Sequence, residues 1–403
     1  MNLLEEKYLK LGVDNAPGQE TRQAIKEIGF SGEKIPGKLV DFSHGDVNAF
    51  IPTPGTLDEF LKGVKLGSEQ AYTEYIGRRI IREALSKKLS AFTDTAISAD
   101  NQLIITPGTQ GALFLAMGSM VGRGDKVAIV APDYFANRKI AHFFDAEIIP
   151  ITLDYLKSDE QAGLDLTQLE DAFKTGVKVF LFSNPNNPTG VVYSSDEIRS
   201  ISFLAQKYGV SVIVDQLYSR QIFDSRIYTH LCAQDIQPEN LITIIGPSKT
   251  ESLSGYRLGV GFGSSNIITR MEKLQAIVSL RAAGYSQAVL NTWFNEPTGW
   301  MEDRILAHQS IRDDLLSLFR SVEGVQVRTP GGGSYLFIKS PELTVAIKEF
   351  IKIMRLQANV ILTPGTEFGS QFTNSFRINF SQDKQSAIDA IRRTIQMVER
   401  YRK

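Results

Sequence analysis

Residues 177–190 read VKVFLFSNPNNPTG. Val177–Ser183 is mostly β-branched, aromatic and aliphatic, and short enough for a strand buried on both faces. It stops at Asn184-Pro185-Asn186-Asn187-Pro188-Thr189-Gly190, where proline and asparagine end the ladder and favour a turn. The same phrase, an apolar run closed by a turn-forming residue, recurs at Gln102–Thr106, Lys126–Ala131, Val210–Asp215 and Leu241–Ile245. Helical patterns lie between these runs. Ser194-Ser195-Asp196-Glu197 has the spacing of a capping box and opens a predicted helix leading to Tyr208. Strands alternating with helices predict a mostly parallel sheet covered on both faces, a three-layer α/β domain spanning roughly Gly55–Gly284.

Beyond about Trp300 the pattern changes. Amphipathic helices are predicted over Met301–Val322, Leu343–Arg355 and Lys384–Tyr401, around short strands at Gly333–Lys339 and Ser375–Phe380. This mixture reads as a smaller α+β domain. The expected organisation is an N-terminal arm (1–45), a large domain (46–295) and a small C-terminal domain (296–403). The arm is expected to dock on the small domain or across the active site, because a terminus needs such contacts to be ordered.

A chain of 403 residues exceeds the size at which one hydrophobic core usually stops growing. Its 44 Lys and Arg against 45 Asp and Glu leave no net field to draw it to nucleic acid or a membrane surface. Cys232 is the only cysteine, which excludes an internal disulfide and a cysteine zinc cluster and leaves a small buried apolar residue as its expected role. His44, His142, His230 and His308 are scattered, so no metal centre is expected. The acidic, amphipathic start MNLLEEKYLKLG does not resemble a signal peptide, and no apolar run approaches the roughly 18 residues of a membrane span. The cytoplasm is the expected location.

Ligands of open α/β sheets bind beyond the carboxyl ends of the strands, and the notable polar residues fall there. Gly108-Thr109-Gln110 follows the first run and starts a helix, so its N–H groups and the helix dipole suit a phosphate. Asp215 ends another run, with Tyr218 three residues on. Ser248-Lys249 follows Leu241–Ile245, with Arg257 eight residues beyond the lysine. Each feature alone fits an ordinary turn or cap.

Together, in this order, they resemble the fold-type I aminotransferases of class I/II, the group that includes aspartate aminotransferase. The most specific pieces are NPNNPTG, the Asp215-to-Tyr218 spacing and SKTESLSGYRLG, and the resemblance runs from Gly45 to Arg377. It implies a three-layer large domain with a mostly parallel sheet, a smaller α+β domain, and pyridoxal 5'-phosphate as cofactor. Lys249 is then the Schiff-base lysine, Asp215 the partner of the pyridine nitrogen, and Asn187 with Tyr218 the pair on the ring hydroxyl. Tyr134 matches the aromatic stacked on the ring. Arg257, Gly108, Thr109, Gln110 and Ser248 are implied at the phosphate, and Tyr72 reaches the partner subunit's phosphate in an obligate homodimer. Arg377 grips the substrate α-carboxylate, Asn187 lies beside it, and Gly45 sits in the segment closing over the substrate. One departure is Gly246, where the family usually has Ser or Thr; Ser248 or Ser286 is expected to replace that contact. Arg281 is close to the place of a second-carboxylate arginine but offset by one residue, which argues against strict specificity for aspartate.

The implied reaction moves the α-amino group of an amino acid to a 2-oxo acid through Schiff-base and quinonoid intermediates. The alternative is a relative's chemistry, in which molecular oxygen oxidises or hydroxylates L-arginine. His44 beside Gly45 is the catalytic candidate that keeps this open, with Asp46 and Glu251 as carboxylates for a guanidinium. Elimination from a cysteine conjugate is compatible with the same residues. A cofactor-sensing regulator is disfavoured, because the first ~45 residues are too few and too acidic for a DNA-binding domain.

Overall fold

The computed structural model describes residues 2–12, 29–157, 160–235, 237 and 239–403. After β1 (Val40–Asp41) come the strands of a large sheet: β2 (Leu103–Pro107), β3 (Lys126–Ala131), β4 (Glu147–Thr152), β5 (Val179–Ser183), β6 (Ser211–Asp215), β7 (Leu241–Ile245) and β8 (Leu258–Gly263). Their order is β2-β8-β7-β6-β5-β3-β4. β8 runs antiparallel to both neighbours, and the other pairings are parallel.

Successive residues of a strand point to opposite faces, and the two faces feed different cores. Phe180 and Val212 belong to one, with Leu85 and Trp293; Leu181 and Ile213 belong to the other, with Leu115 and Met271. This is the expected three-layer arrangement. The helix Ser195–Tyr208 begins in a capping box made by Ser194 and Glu197, as its sequence predicts, and ends on a left-handed Gly209. Cys232 is buried, also as expected.

Two strands lack a sequence run that announces them. β4 (EIIPIT) carries Pro150, which is tolerated because β4 is an edge strand. β8 (LGVGFG) is half glycine for a packing reason: a Cβ on Gly259 would overlap the backbone of Gly108 and Thr109.

The C-terminal part holds the antiparallel strands β9 (Tyr335–Lys339), β11 (Thr363–Pro364) and β12 (Ser375–Asn379), while β10 (Val360–Ile361) pairs in parallel with β1. Helices Trp300–Arg320, Ile347–Ala358 and Lys384–Tyr401 close over a separate core that includes Phe319, Phe350, Phe376 and Phe42. The helix Leu3–Leu11 lies on the helix Phe135–Phe143, where Lys7 pairs with Asp145 at 3.3 Å. No described helix is long and apolar enough to cross a membrane. Because β2, β3, β5, β6 and β7 share one direction, the turns after all five meet at one edge of the sheet.

Candidate active site

Those turns, with residues 43 and 44 of the arm and side chains of β9 and β12, enclose a cavity of about 220 Å³. Thr109, Gln110, Tyr134, Asn187, Asp215, Tyr218, Ser248, Lys249, Arg257 and Arg377 all line it. A neighbouring cavity of about 480 Å³ shares His44, Ser248 and Lys249 with the first and is bordered by Gly45 and Asp46. Lys249, in the connection from β7 to β8, thus faces both spaces.

Asp215 and Arg377, on the wall of the first cavity, form no salt bridge among the described residues. Asp215 accepts the N–H of Leu217 at 3.0 Å, and burial with no cation beside it pushes its carboxyl up to about 6. Arg377 is 2% exposed and donates only to neutral oxygens: Nη1 to Asn187 Oδ1 at 2.9 Å and Nη2 to the Ser43 carbonyl at 3.0 Å. Its Nε is buried without a partner. Such charges are costly unless a bound group completes them. The cavity therefore suits a cationic nitrogen at Asp215 and a carboxylate at Arg377. Donation from Arg377 also fixes the Asn187 amide, with its oxygen toward the arginine.

A cradle for a phosphate lies where the helix Gly108–Met120 begins. Gly108 has φ +77°, and a Cβ there would lie 2.5 Å from Arg257 Nη2, so the guanidinium sits directly against the backbone. Arg257 Nη1 donates to the Ser254 carbonyl at 2.9 Å. The Gly246 departure has a steric reason. A Cβ at 246 would lie 2.9 Å from the Thr109 methyl, so Thr109 fills the space where a side chain is expected. Ser248 lines the cavity, and Ser286 does not. Tyr134 donates to Gln110 Oε1 at 3.0 Å.

Sequence reasoning missed three contributors. Asp133 accepts the N–H groups of Ser183 at 3.0 Å and Tyr134 at 2.6 Å and the Ser183 hydroxyl; burial pushes it up to about 7. Ser43 supplies the carbonyl under Arg377. Tyr335 lies 2.7 Å from the Tyr218 hydroxyl, with the Arg377 guanidinium 4.3 Å from its ring. The predicted strand over Gly333–Lys339 contains Tyr335, but a strand pattern does not say what it touches.

The residues singled out for oxygen chemistry are otherwise engaged. His44 Nδ1 lies 3.0 Å from the Gly45 carbonyl and Nε2 lies 3.4 Å from Asp41 Oδ2. Both nitrogens face acceptors, which favours the doubly protonated ring; its pKa rises to about 9, chiefly through the Asp41 hydrogen bond. Glu251 is fully buried and bound by Thr250 and Arg220, which also pairs with Glu296 at 2.7 Å. The guanidinium at Glu251 is the chain's own. Asp46 accepts the Asn48 N–H at 2.8 Å. Tyr72 lies outside the cavity, 79% exposed, with the Arg281 guanidinium 5.7 Å from its ring.

Comparison with known proteins agrees with this geometry. Residues 38–395 match the family described as aminotransferase class I and II. A solved structure named as an aspartate aminotransferase from Rhodobacter sphaeroides 2.4.1 is 59% identical and superimposes with a TM-score of 0.94, covering 99% of this chain and 100% of that one. The aspartate aminotransferase of Sulfolobus acidocaldarius is 26% identical over 94% of this chain and 95% of its own. An aromatic aminotransferase structure from Pyrococcus horikoshii, 20% identical, shares the fold with a TM-score of 0.82 over 90% of this chain and 96% of that one. These names and the occupied Glu251 give the arginine-oxidase alternative no support. The chain belongs to the class I and II aminotransferases.

Proposed function

We propose that the 220 Å³ cavity holds pyridoxal phosphate on Lys249 and that this is where the chain, an aminotransferase, moves the α-amino group of an amino acid to a 2-oxo acid. The observation that carries the reading is the uncompensated pair, a carboxylate at Asp215 half-buried on the cavity wall and a buried guanidinium at Arg377 with Nε unpartnered. When bound, the cofactor supplies an aldehyde that condenses with amines and a ring that takes up the electrons of a broken Cα–H bond. Asp215 holds a proton on the ring nitrogen. Arg257 and the N–H groups from Gly108 to Gln110, with Ser248, hold the phosphate. Tyr134 covers the ring face, and Asn187 and Tyr218 meet the ring hydroxyl.

Arg377 offers its Nε and guanidinium edge to the substrate carboxylate, which fixes the Cα–H bond relative to Lys249. The free amine of Lys249 removes that proton from Cα and returns one on the other side of the transfer. Gly45 and the space beside it receive the rest of the substrate. Residues 46–295 act as the cofactor-holding body and 296–403 as the smaller one. Exposed Tyr72 completes the partner's site in a homodimer.

The test is reductive trapping. Chain reconstituted with pyridoxal phosphate and treated with borohydride is expected to carry the cofactor on the peptide containing Lys249, and amino-group transfer to a 2-oxo acid is expected in a panel of amino acids. A Lys249→Ala variant that still transfers amino groups at the native rate sinks the proposal.

A further inference from the structure

The cavity has a residue whose part the reading above leaves unassigned. Tyr335 stands on β9 directly opposite Asn379 on β12, and both are buried. Tyr218 donates its hydroxyl to the Tyr335 oxygen at 2.7 Å. The Asn379 and Ser334 side chains lie beside the pair. A phenol has one proton to give. Spent on Tyr335, it is not available to an acceptor in the cavity.

We infer that Tyr335 is a positioning residue for the aminotransferase site: by accepting the proton of Tyr218 it sets how strongly Tyr218 can donate to the ring hydroxyl oxygen of a bound cofactor. The inference rests on the cofactor placement proposed above. The surroundings of Tyr335 favour the accepting role. Burial opposes a phenolate there, but Arg377, 4.3 Å from the ring, Lys249 and the side chains of Tyr218 and Asn379 together draw the Tyr335 pKa below the ordinary phenol value. Tyr218 shifts the other way, held well above the ordinary value by burial and by Tyr335. Of the two phenols Tyr218 thus holds its proton more tightly, and that proton points to the Tyr335 oxygen. The charged and titratable groups facing the pair are Arg377, Lys249 and Tyr134.

The sign of the effect follows. A donor to the ring oxygen stabilises its anion and so makes the cofactor–lysine linkage easier to deprotonate. Removing the Tyr335 hydroxyl releases the Tyr218 proton to that oxygen. Tyr335→Phe is thus expected to lower the pH midpoint of the cofactor absorbance band by about half to one unit, the size of one hydrogen bond. The same change in a Tyr218→Phe background is expected to leave the midpoint where Tyr218→Phe alone puts it. That second comparison separates a relay through Tyr218 from general loosening of the site. Equal midpoints for wild type and Tyr335→Phe, or an equal shift in both backgrounds, overturn the inference while leaving the cofactor reading intact. A wild-type chain with no titrating cofactor band removes both.

Discussion

Asp215→Asn separates the cost of a buried charge from its use. The folded carboxyl titrates near 6 against 3.8 for an ordinary aspartate, a rise of about two units caused by burial. At 1.36 kcal/mol per unit this amounts to roughly 3 kcal/mol of destabilisation when the group is ionised, an upper bound because the cavity admits solvent. The folded pKa is above the unfolded one, so the cofactor-free chain loses this stability as pH rises from about 4 to about 6 and carries the full cost above that. Asparagine has the same shape and no charge. The cofactor-free variant is expected to be more stable than wild type at pH 8 by up to ~3 kcal/mol, with the advantage shrinking below pH 6 and gone near pH 4. Denaturant titrations followed by tryptophan fluorescence across that range measure it. Transamination should fall by about a hundredfold or more, the loss typical when one preorganised electrostatic partner of the reacting group is removed. A cofactor-free variant no more stable than wild type at pH 8 refutes the claim that Asp215 is an uncompensated charge.

Arg377→Lys should raise the KM for amino acids about a hundredfold in steady-state assays, because lysine cannot keep the bonds to Asn187 and Ser43 and also offer a fork to a carboxylate; an unchanged KM counts against the assignment. Arg220→Ala leaves Glu251 and Glu296 without their cation and should cost about 3–5 kcal/mol in chemical denaturation, with Glu251→Gln much milder. His44 has a folded pKa raised from 6.5 to about 9 by Asp41, so its contribution is complete below about pH 6.5 and lost as pH rises through 9. An NMR titration of His44 should show a midpoint well above 7 that Asp41→Asn lowers, and a midpoint near 6.5 in wild type contradicts the ion pair.

How far the sequence reads depends on whether the constraint is local. Lys126–Ala131 and Leu241–Ile245 coincide with β3 and β7 because burial on both faces demands a continuous apolar run. Lys384–Tyr401 matches a helix end to end, since one face packs against the small core and Asp383 caps it through the Ser386 N–H. β8 escapes the same reading, because its Gly259 answers to the helix at Gly108 more than 140 residues earlier in the chain. The chemistry-bearing residues are legible through spacing within loops. Their partners from distant parts of the chain are not: the sequence around Glu251 does not reveal that Arg220, itself held by Glu296, occupies it.

Arg377 shows what this limit conceals. A family motif marks it as a carboxylate grip, yet the motif says nothing of what holds the arginine. Its backbone belongs to β12 of the small sheet, one amino group is bound by Asn187 in the turn after β5, and the other by the carbonyl of Ser43 in the arm. The guanidinium is thus a three-way joint between the large sheet, the small sheet and the arm. Asn187 and Ser43 take one N–H each, so three of the five guanidinium N–H groups, the buried Nε among them, are left for a carboxylate that would arrive there. On the proposed assignment a substrate carboxylate would meet a fork already oriented by the arm and the 184–190 turn, and those two segments also line the cavity through His44 and Asn187. Recognition of the carboxylate and the fit of the walls around it would then depend on the same side chain.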